Sequence, residues 1–118
     1  MRRATAVEYC LALPGTYLDS PWGEDHNVVK VGGKIFAFLG GEDGFSITLK
    51  NTEDVVDQWR QEYPDHAGKA PYLSKTQWNV IRTTGPGAPA DEEVRDLIDE
   101  SYALVVAKLP KSQRPAAS

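Results

Sequence analysis

The sequence predicts an α+β fold in which an antiparallel sheet is flanked by helices. Residues 28–50 carry the densest strand signal, three apolar runs separated by glycine-rich turns. Apolar residues at helical spacing precede this stretch, follow it, and recur near the C-terminal end. Strands joined by short turns pair in antiparallel fashion, so this order of elements is typical of the α+β class.

Length and composition fit one folded domain. The chain has 118 residues, of which 41% are hydrophobic and 25% charged. We predict a single domain over residues 1–110 and a flexible tail over residues 111–118. The formal net charge of -4 and the pI of about 5.1 count against a general nucleic-acid binder. We find no membrane-spanning stretch, no leader and only one cysteine, and therefore expect a cytoplasmic protein.

Local signals predict each element in turn. A helix over residues 4–13 ends at Pro14-Gly15, and residues 16–19 form a short extended segment. Strands are expected at residues 28–31, 34–39 and 45–50. A helix follows Asn51-Thr52 and ends at Pro64, and weaker strands occupy residues 70–74 and 78–83. The last helix begins at Asp91 and ends at Leu109-Pro110.

The central hairpin can be paired residue by residue. If Gly32-Gly33 forms a two-residue turn, Val29 opposes Phe36, and directly opposed residues share a face. The predicted outer face then comprises Val29, Val31, Lys34, Phe36 and Phe38. Ser46, Thr48 and Lys50 join this face if Leu39 opposes Phe45 across the next turn, and a slip of one residue in that turn moves them to the opposite face. The predicted core face comprises Ile35, Ala37, Leu39, Phe45, Ile47 and Leu49.

The outer face has two interpretations. Phe36, Phe38 and Thr48 can form a ligand or interface face, because rings stack on bases and lysines neutralise phosphates. Alternatively, the two phenylalanines pack under a helix or across a dimer interface.

A second candidate surface is the predicted hairpin around residues 72–82. Its turn is polar, and its side chains are suitable hydrogen-bond donors to phosphate. We expect Trp78 to fill the core behind this hairpin rather than to stack on a base. Together with the outer face, the hairpin gives the predicted nucleic-acid-binding set: Lys34, Lys50, Lys69, Lys75, Thr76, Gln77 and Arg82.

Motifs of enzymes and metal sites are absent from the sequence. His26 and His66 lie far apart, with no cysteine or carboxylate at ligand spacing. No serine stands in a Gly-x-Ser-x-Gly elbow. The glycine pairs join strands to strands, so they do not form a phosphate cradle at a helix N-terminus. We therefore expect a protein that is not an enzyme and has neither cofactor nor metal.

Seven segments, in order along the chain, carry a resemblance to a known family. They are Leu13-Pro14-Gly15, Trp22-Gly23, residues 30–37 (KVGGKIFA), residues 46–50 (SITLK), Tyr63-Pro64, residues 74–79 (SKTQWN) and residues 98–110 (IDESYALVVAKLP). With them, the chain resembles the MmcQ/YjbR-like family of small bacterial proteins. The resemblance implies a compact α+β fold often labelled a double-wing DNA-binding domain, similar in outline to secretion-chaperone and frataxin-like folds. It implies no catalytic residue.

The sequence thus predicts a small non-enzymatic binding protein. DNA is the ligand that the resemblance implies, bound through the basic hairpin and the sheet face. The alternative is a protein-interaction or chaperone-like module that uses an apolar sheet face to bind a protein partner. We expect a monomer or a weak homodimer without membrane contact.

Overall fold

The computed structural model describes residues 1–21, 27–40, 44–71, 73–74 and 76–115. Its helices are α1 (Arg3–Leu11), α2 (Glu53–Glu62) and α3 (Asp91–Ala107). Its strands are β1 (Thr16–Asp19), β2 (Asn27–Val31), β3 (Lys34–Gly40), β4 (Ser46–Lys50), β5 (Ala67–Lys69) and β6 (Trp78–Arg82). A short 3₁₀ turn, Lys111–Gln113, follows α3.

The six strands form one antiparallel sheet in the order β1-β2-β3-β4-β6-β5. Strands that follow one another in the chain are neighbours in the sheet, except that β6 lies between β4 and β5 and pairs with both. The α+β fold predicted from the sequence is confirmed.

One predicted strand is misplaced. The sequence analysis put a strand at residues 70–74, whereas the structure forms β5 from Ala67 to Lys69. This short strand pairs antiparallel with β6, with Ala67 opposite Ile81 and Lys69 opposite Asn79. The residues Ala-Gly-Lys have weak intrinsic strand preference, so β5 is a strand because of its pairing with β6.

A β-bulge in β3 changes the predicted hairpin. Gly32 and Gly33 have φ of 57° and 80°, and the first pairs beyond them follow the predicted register. The register then shifts, so that Val29 opposes Ala37 and Phe36 is the extra residue. A bulge reverses the alternation of side chains on its strand beyond the inserted residue.

The placement of Phe36 on the outer face is therefore wrong. Its side chain is fully buried in the core, and its ring packs edge-on against Tyr102 at a centroid distance of 5.5 Å. Val29 and Val31, predicted on the outer face, are also buried in the core cluster. Phe38 and Thr48 keep their predicted side, where they oppose each other in the β3–β4 ladder.

All three helices contribute to a core on one face of the sheet. Ala6 and Cys10 of α1 belong to this core, as does Trp59 of α2. The longest helix, α3, packs on β2, β3 and β4. It contributes Val94, Leu97, Ile98 and Val105.

Ser101 of α3 connects the helix to the sheet where the bulge interrupts the strand ladder. Its hydroxyl donates to the carbonyl oxygen of Phe36 at 2.6 Å. The hydroxyl oxygen of Ser101 in turn accepts a hydrogen bond from the backbone N–H of Lys50 at 2.9 Å. Ser101 is fully buried, so it supplies partners to two backbone groups that water cannot reach.

The segment after α3 lies against the end of that helix. The guanidinium of Arg114 donates to the carbonyl oxygens of Ala107 and Leu109, each at 3.0 Å. Gly32 lies against this segment, because a Cβ there would approach Leu109 and the carbonyl oxygen of Gln113. Residues 111–115 of the predicted tail thus have defined contacts, and the flexibility of the tail stays a prediction.

Candidate functional site

A pocket opens at the end of the sheet where β3 begins and β4 ends, next to the C-terminal turn of α3. Its volume is about 200 Å³. We call it the basic pocket, lined by Lys34, Ile35, Lys50, Trp78, Val105 and Lys108. Three ammonium groups thus border a cavity whose other walls are aliphatic and aromatic.

Lys50 is the most deeply placed of the three lysines, with 9% of its surface exposed. Burial, and to a smaller extent the nearby Lys108 ammonium group, lowers the pKa of its ammonium group to about 8. A cation removed from water without a counter-ion is unfavourable, because the lost hydration is not replaced.

No carboxylate of the described residues lies within ion-pair distance of Lys34, Lys50 or Lys108. By contrast, Lys30 on β2 forms an ion pair with Asp19 at 2.7 Å. Among the described residues, the three lysines of the basic pocket therefore lack the partner expected of a structural salt bridge.

Trp78 forms the aromatic wall of the pocket and is held from two sides. Its ring meets Phe38 edge-on at a centroid distance of 5.7 Å. Its carbonyl oxygen accepts a hydrogen bond of 3.2 Å from Arg60 of α2. Arg60 also donates to Asn79 at 2.6 Å, which ties α2 to the start of β6. Trp78 is half-buried, so it both packs on the sheet and borders the pocket.

The structure brings together four residues of the predicted nucleic-acid-binding set. Lys34 and Lys50 line the basic pocket. Thr76 and Gln77 immediately precede Trp78, and the carbonyl oxygen of Gln77 accepts the N–H of Asn51, the residue after Lys50. These two polar residues therefore extend the same end of the sheet.

Three residues of the set do not join this group. Arg82 is at the far end of β6, opposite Ser46, about 13 Å along the strand from Trp78. Lys69 is exposed on the edge strand β5. Lys75 lies outside the described residues.

The sequence analysis did not identify Lys108 as part of a site. The only sequence signal was a lysine in the last turn of a helix, where cations are commonly placed by the helix dipole. Its position beside Lys50 follows from the packing of α3 across β3 and β4, which sequence spacing does not reveal.

Opposite charges occupy the two ends of α3. Its first ten residues contain six acids: Asp91, Glu92, Glu93, Asp96, Asp99 and Glu100. Three of them, Glu93, Asp96 and Glu100, line a groove of about 230 Å³ between α2 and α3. The helix end and the segment after it carry Lys108, Lys111 and Arg114, and residues 101–115 contain no acid.

Within the described ranges, no group of three or more His, Cys, Asp or Glu side chains could hold a metal ion. In that same part of the chain, no helix combines the length and apolarity needed to cross a membrane.

Comparison with known proteins places this architecture. The family model described as YjbR matches residues 11–104, which span the sheet, α2 and most of α3. The chain belongs to the YjbR family. The resemblance inferred from the sequence motifs is thus confirmed.

The chain is similar to a curated protein and to two proteins of solved structure. The chain is 34% identical over 109 residues to the uncharacterized protein YbdF of Escherichia coli O157:H7, covering 91% of this chain and 86% of YbdF. The crystal structure of Deinococcus radiodurans protein DR2400, with domain DUF419, has a TM-score of 0.83 at 24% identity, covering 95% and 84% of the two chains. A crystal structure of a protein from Pseudomonas syringae has a TM-score of 0.69 at 25% identity, covering 88% and 98%.

Proposed function

We propose that this YjbR-family protein is a non-enzymatic binding module and that its ligand is DNA, held at the end of the sheet that contains the basic pocket. The observation that carries this proposal is the convergence of Lys34, Lys50 and Lys108 with no carboxylate partner in the part of the chain that the structure describes. Cations that are not used in internal ion pairs remain available to neutralise phosphates.

Residues next to the basic pocket also support the proposal that DNA binds at this end of the sheet. Lys111 and Arg114 extend the cationic region beyond α3, and both are exposed. Thr76 and Gln77 offer side-chain hydrogen bonds that fix orientation on a phosphate backbone.

The charge distribution reconciles this proposal with a net charge of -4. The six acids of α3 lie in its first ten residues, and their distances along the helix axis from Lys108 run from about 25 Å for Asp91 to about 12 Å for Glu100. These distances exceed the Debye length of roughly 8 Å at physiological ionic strength, so the acids are largely screened from a ligand at the basic end. Binding through few phosphate contacts is expected to be weak and strongly dependent on salt.

The test is fluorescence anisotropy of labelled duplex and single-stranded DNA over a salt series. Saturable binding is expected at low salt, and four or five phosphate contacts give a log–log salt slope of about -3 to -5. No saturable binding of either DNA at low salt would overturn the proposal.

Two double variants with the same change in charge locate the surface. Lys34→Gln with Lys108→Gln removes two cations from the basic pocket, and we expect it to weaken binding at least about tenfold. Lys69→Gln with Arg82→Gln removes two cations from the β5–β6 hairpin and is expected to have less effect. A larger effect of Lys69→Gln with Arg82→Gln would assign binding to the β5–β6 hairpin instead of the basic pocket.

A protein partner is the second candidate function, and one observation favours it. Tyr17 and Leu18 on the edge strand β1 are 44% and 43% exposed. An edge strand offers unpaired backbone groups to an added strand. Phe36, however, is unavailable to such a partner because it is buried in the core of its own chain.

The protein-partner candidate is tested through the oligomeric state. Light scattering coupled to size exclusion should detect a weak dimer that Leu18→Lys abolishes, if the partner is a second copy. A monomer at every accessible concentration would remove self-association from consideration.

A further inference from the structure

We infer that the basic pocket is a binding site for a small organic anion, which has a carboxylate or phosphate head and an apolar body. This inference goes beyond the proposed DNA function and does not depend on it. It rests on the size of the cavity, the buried cation and the apolar walls.

The volume of the basic pocket limits the size of the ligand. A volume of about 200 Å³ lies below the roughly 300–1,000 Å³ of pockets that enclose drug-sized molecules. The pocket therefore suits a compact ligand such as one ring with one head group. A DNA duplex can contact the rim of such a pocket without entering it.

The positive charge of the pocket favours an anionic head group on the ligand. Lys50 is nine-tenths buried, lines the cavity, and has no carboxylate partner among the described residues. Lys34 on β3 and Lys108 on α3 border the same cavity from two other elements. An anion at this point would receive charge-assisted hydrogen bonds from several ammonium groups at once, and it would relieve their mutual repulsion.

The apolar residues that line the pocket favour a ligand with an apolar body. Ile35, Val105 and Trp78 line the same cavity as the three lysines. Burying a ring against these apolar residues removes apolar surface from water, which an inorganic anion cannot do. An aromatic or branched aliphatic acid should therefore bind more tightly than inorganic phosphate.

Titration calorimetry with four probes tests the inference. Benzoate and phenyl phosphate carry the two head groups on the same ring, benzamide is the neutral counterpart, and inorganic phosphate lacks the apolar body. We expect a Kd of about 1 mM or lower for at least one aromatic anion. Binding should be at least about tenfold weaker for benzamide and for inorganic phosphate.

The two aromatic anions distinguish the source of the head group, because the preferred one identifies a carboxylate or a phosphate ligand. Equal binding of benzamide would overturn the inference in favour of a purely apolar pocket. No saturable binding of either aromatic anion up to about 10 mM would overturn it entirely.

Variants connect the binding to the pocket. Lys50→Met keeps a long side chain but removes the buried charge, and we expect it to weaken binding of the better aromatic anion at least about tenfold. Lys111→Met removes an exposed charge outside the pocket lining and should leave binding within about twofold. Unchanged binding by Lys50→Met would overturn the assignment.

If Lys50→Met does not fold, the double variant Lys34→Gln with Lys108→Gln replaces it. We expect this variant to weaken binding of the better aromatic anion, and unchanged binding would overturn the assignment. Failure of this inference is separate from failure of DNA binding. If the protein binds DNA but no small aromatic anion, this inference is wrong. If it binds a small aromatic anion but no DNA, the proposed DNA function is wrong.

Discussion

Replacing Ser101 by alanine should destabilise the fold by about 3 kcal/mol, which makes it a sharp test of how the bulge is held. The substitution removes one hydroxyl and leaves the helix backbone intact. Two backbone groups then lose their partner, the carbonyl of Phe36 and the N–H of Lys50. Alanine is also a better helix former than serine, which offsets about 0.5 kcal/mol at most.

The magnitude follows from burial. Ser101 and Phe36 are fully buried, so water does not replace the lost hydroxyl. A buried polar group without a partner costs roughly 1–3 kcal/mol, and two groups give about 2–6 kcal/mol before local relaxation. With an m-value of about 1.5 kcal/mol/M, a loss of about 3 kcal/mol lowers the urea midpoint by roughly 2 M.

Urea unfolding followed by circular dichroism measures this effect. Ser112→Ala is the matched control, because Ser112 is exposed in the 3₁₀ turn and should change stability by less than about 0.5 kcal/mol. A Ser101→Ala protein whose stability is within about 0.5 kcal/mol of the wild type would refute the reasoning. The bulge would then be held by strand pairing and packing alone.

Two further predictions concern Gly32 and Lys50. Gly32→Ala should cost about 2 kcal/mol or more, since φ is +57° and the new Cβ would be 2.5 Å from Leu109 Cδ1. Gly33→Ala, at φ +80° with open space, should cost only the backbone term of about 1–2 kcal/mol, and equal losses in urea melts would contradict the packing argument. Burial, and after it the Lys108 ammonium group, lowers the pKa of Lys50 from 10.5 to about 8, so the unfolded chain binds more protons above pH 8. The free energy of unfolding of the wild type should therefore rise relative to that of Lys50→Met from about pH 8 to about pH 10, and parallel pH profiles would exclude the buried charge.

The sequence predicted the element order well because most signals were local. Apolar spacing and the proline stops located the helices, and the glycine pair located the hairpin turn. It did not predict the bulge, since residues 35–39 are all apolar and their pattern fits either face. The hydrogen bond that the bulge residue Phe36 accepts in the structure comes from Ser101, more than sixty residues away.

The candidate site was predicted only in part for the same reason. Lys34 and Lys50 were expected on one surface and do line one pocket. The expectation rested on a flat face, whereas the pocket also requires Val105 and Lys108 from α3. A helix crossing a sheet brings such residues together through tertiary packing, which a period of two or of 3.6 residues does not encode.

The separation of charged side chains along α3 gives this helix a side-chain dipole. Its negative pole is the Asp91 end of the helix, and its positive pole is the Lys108 end. At low ionic strength a molecule that carries such a dipole turns in the field of a charged surface before it touches it, so the positive pole meets a polyanion first. The same dipoles attract one another head to tail, and added salt should therefore increase the solubility of this protein near its pI of about 5.1.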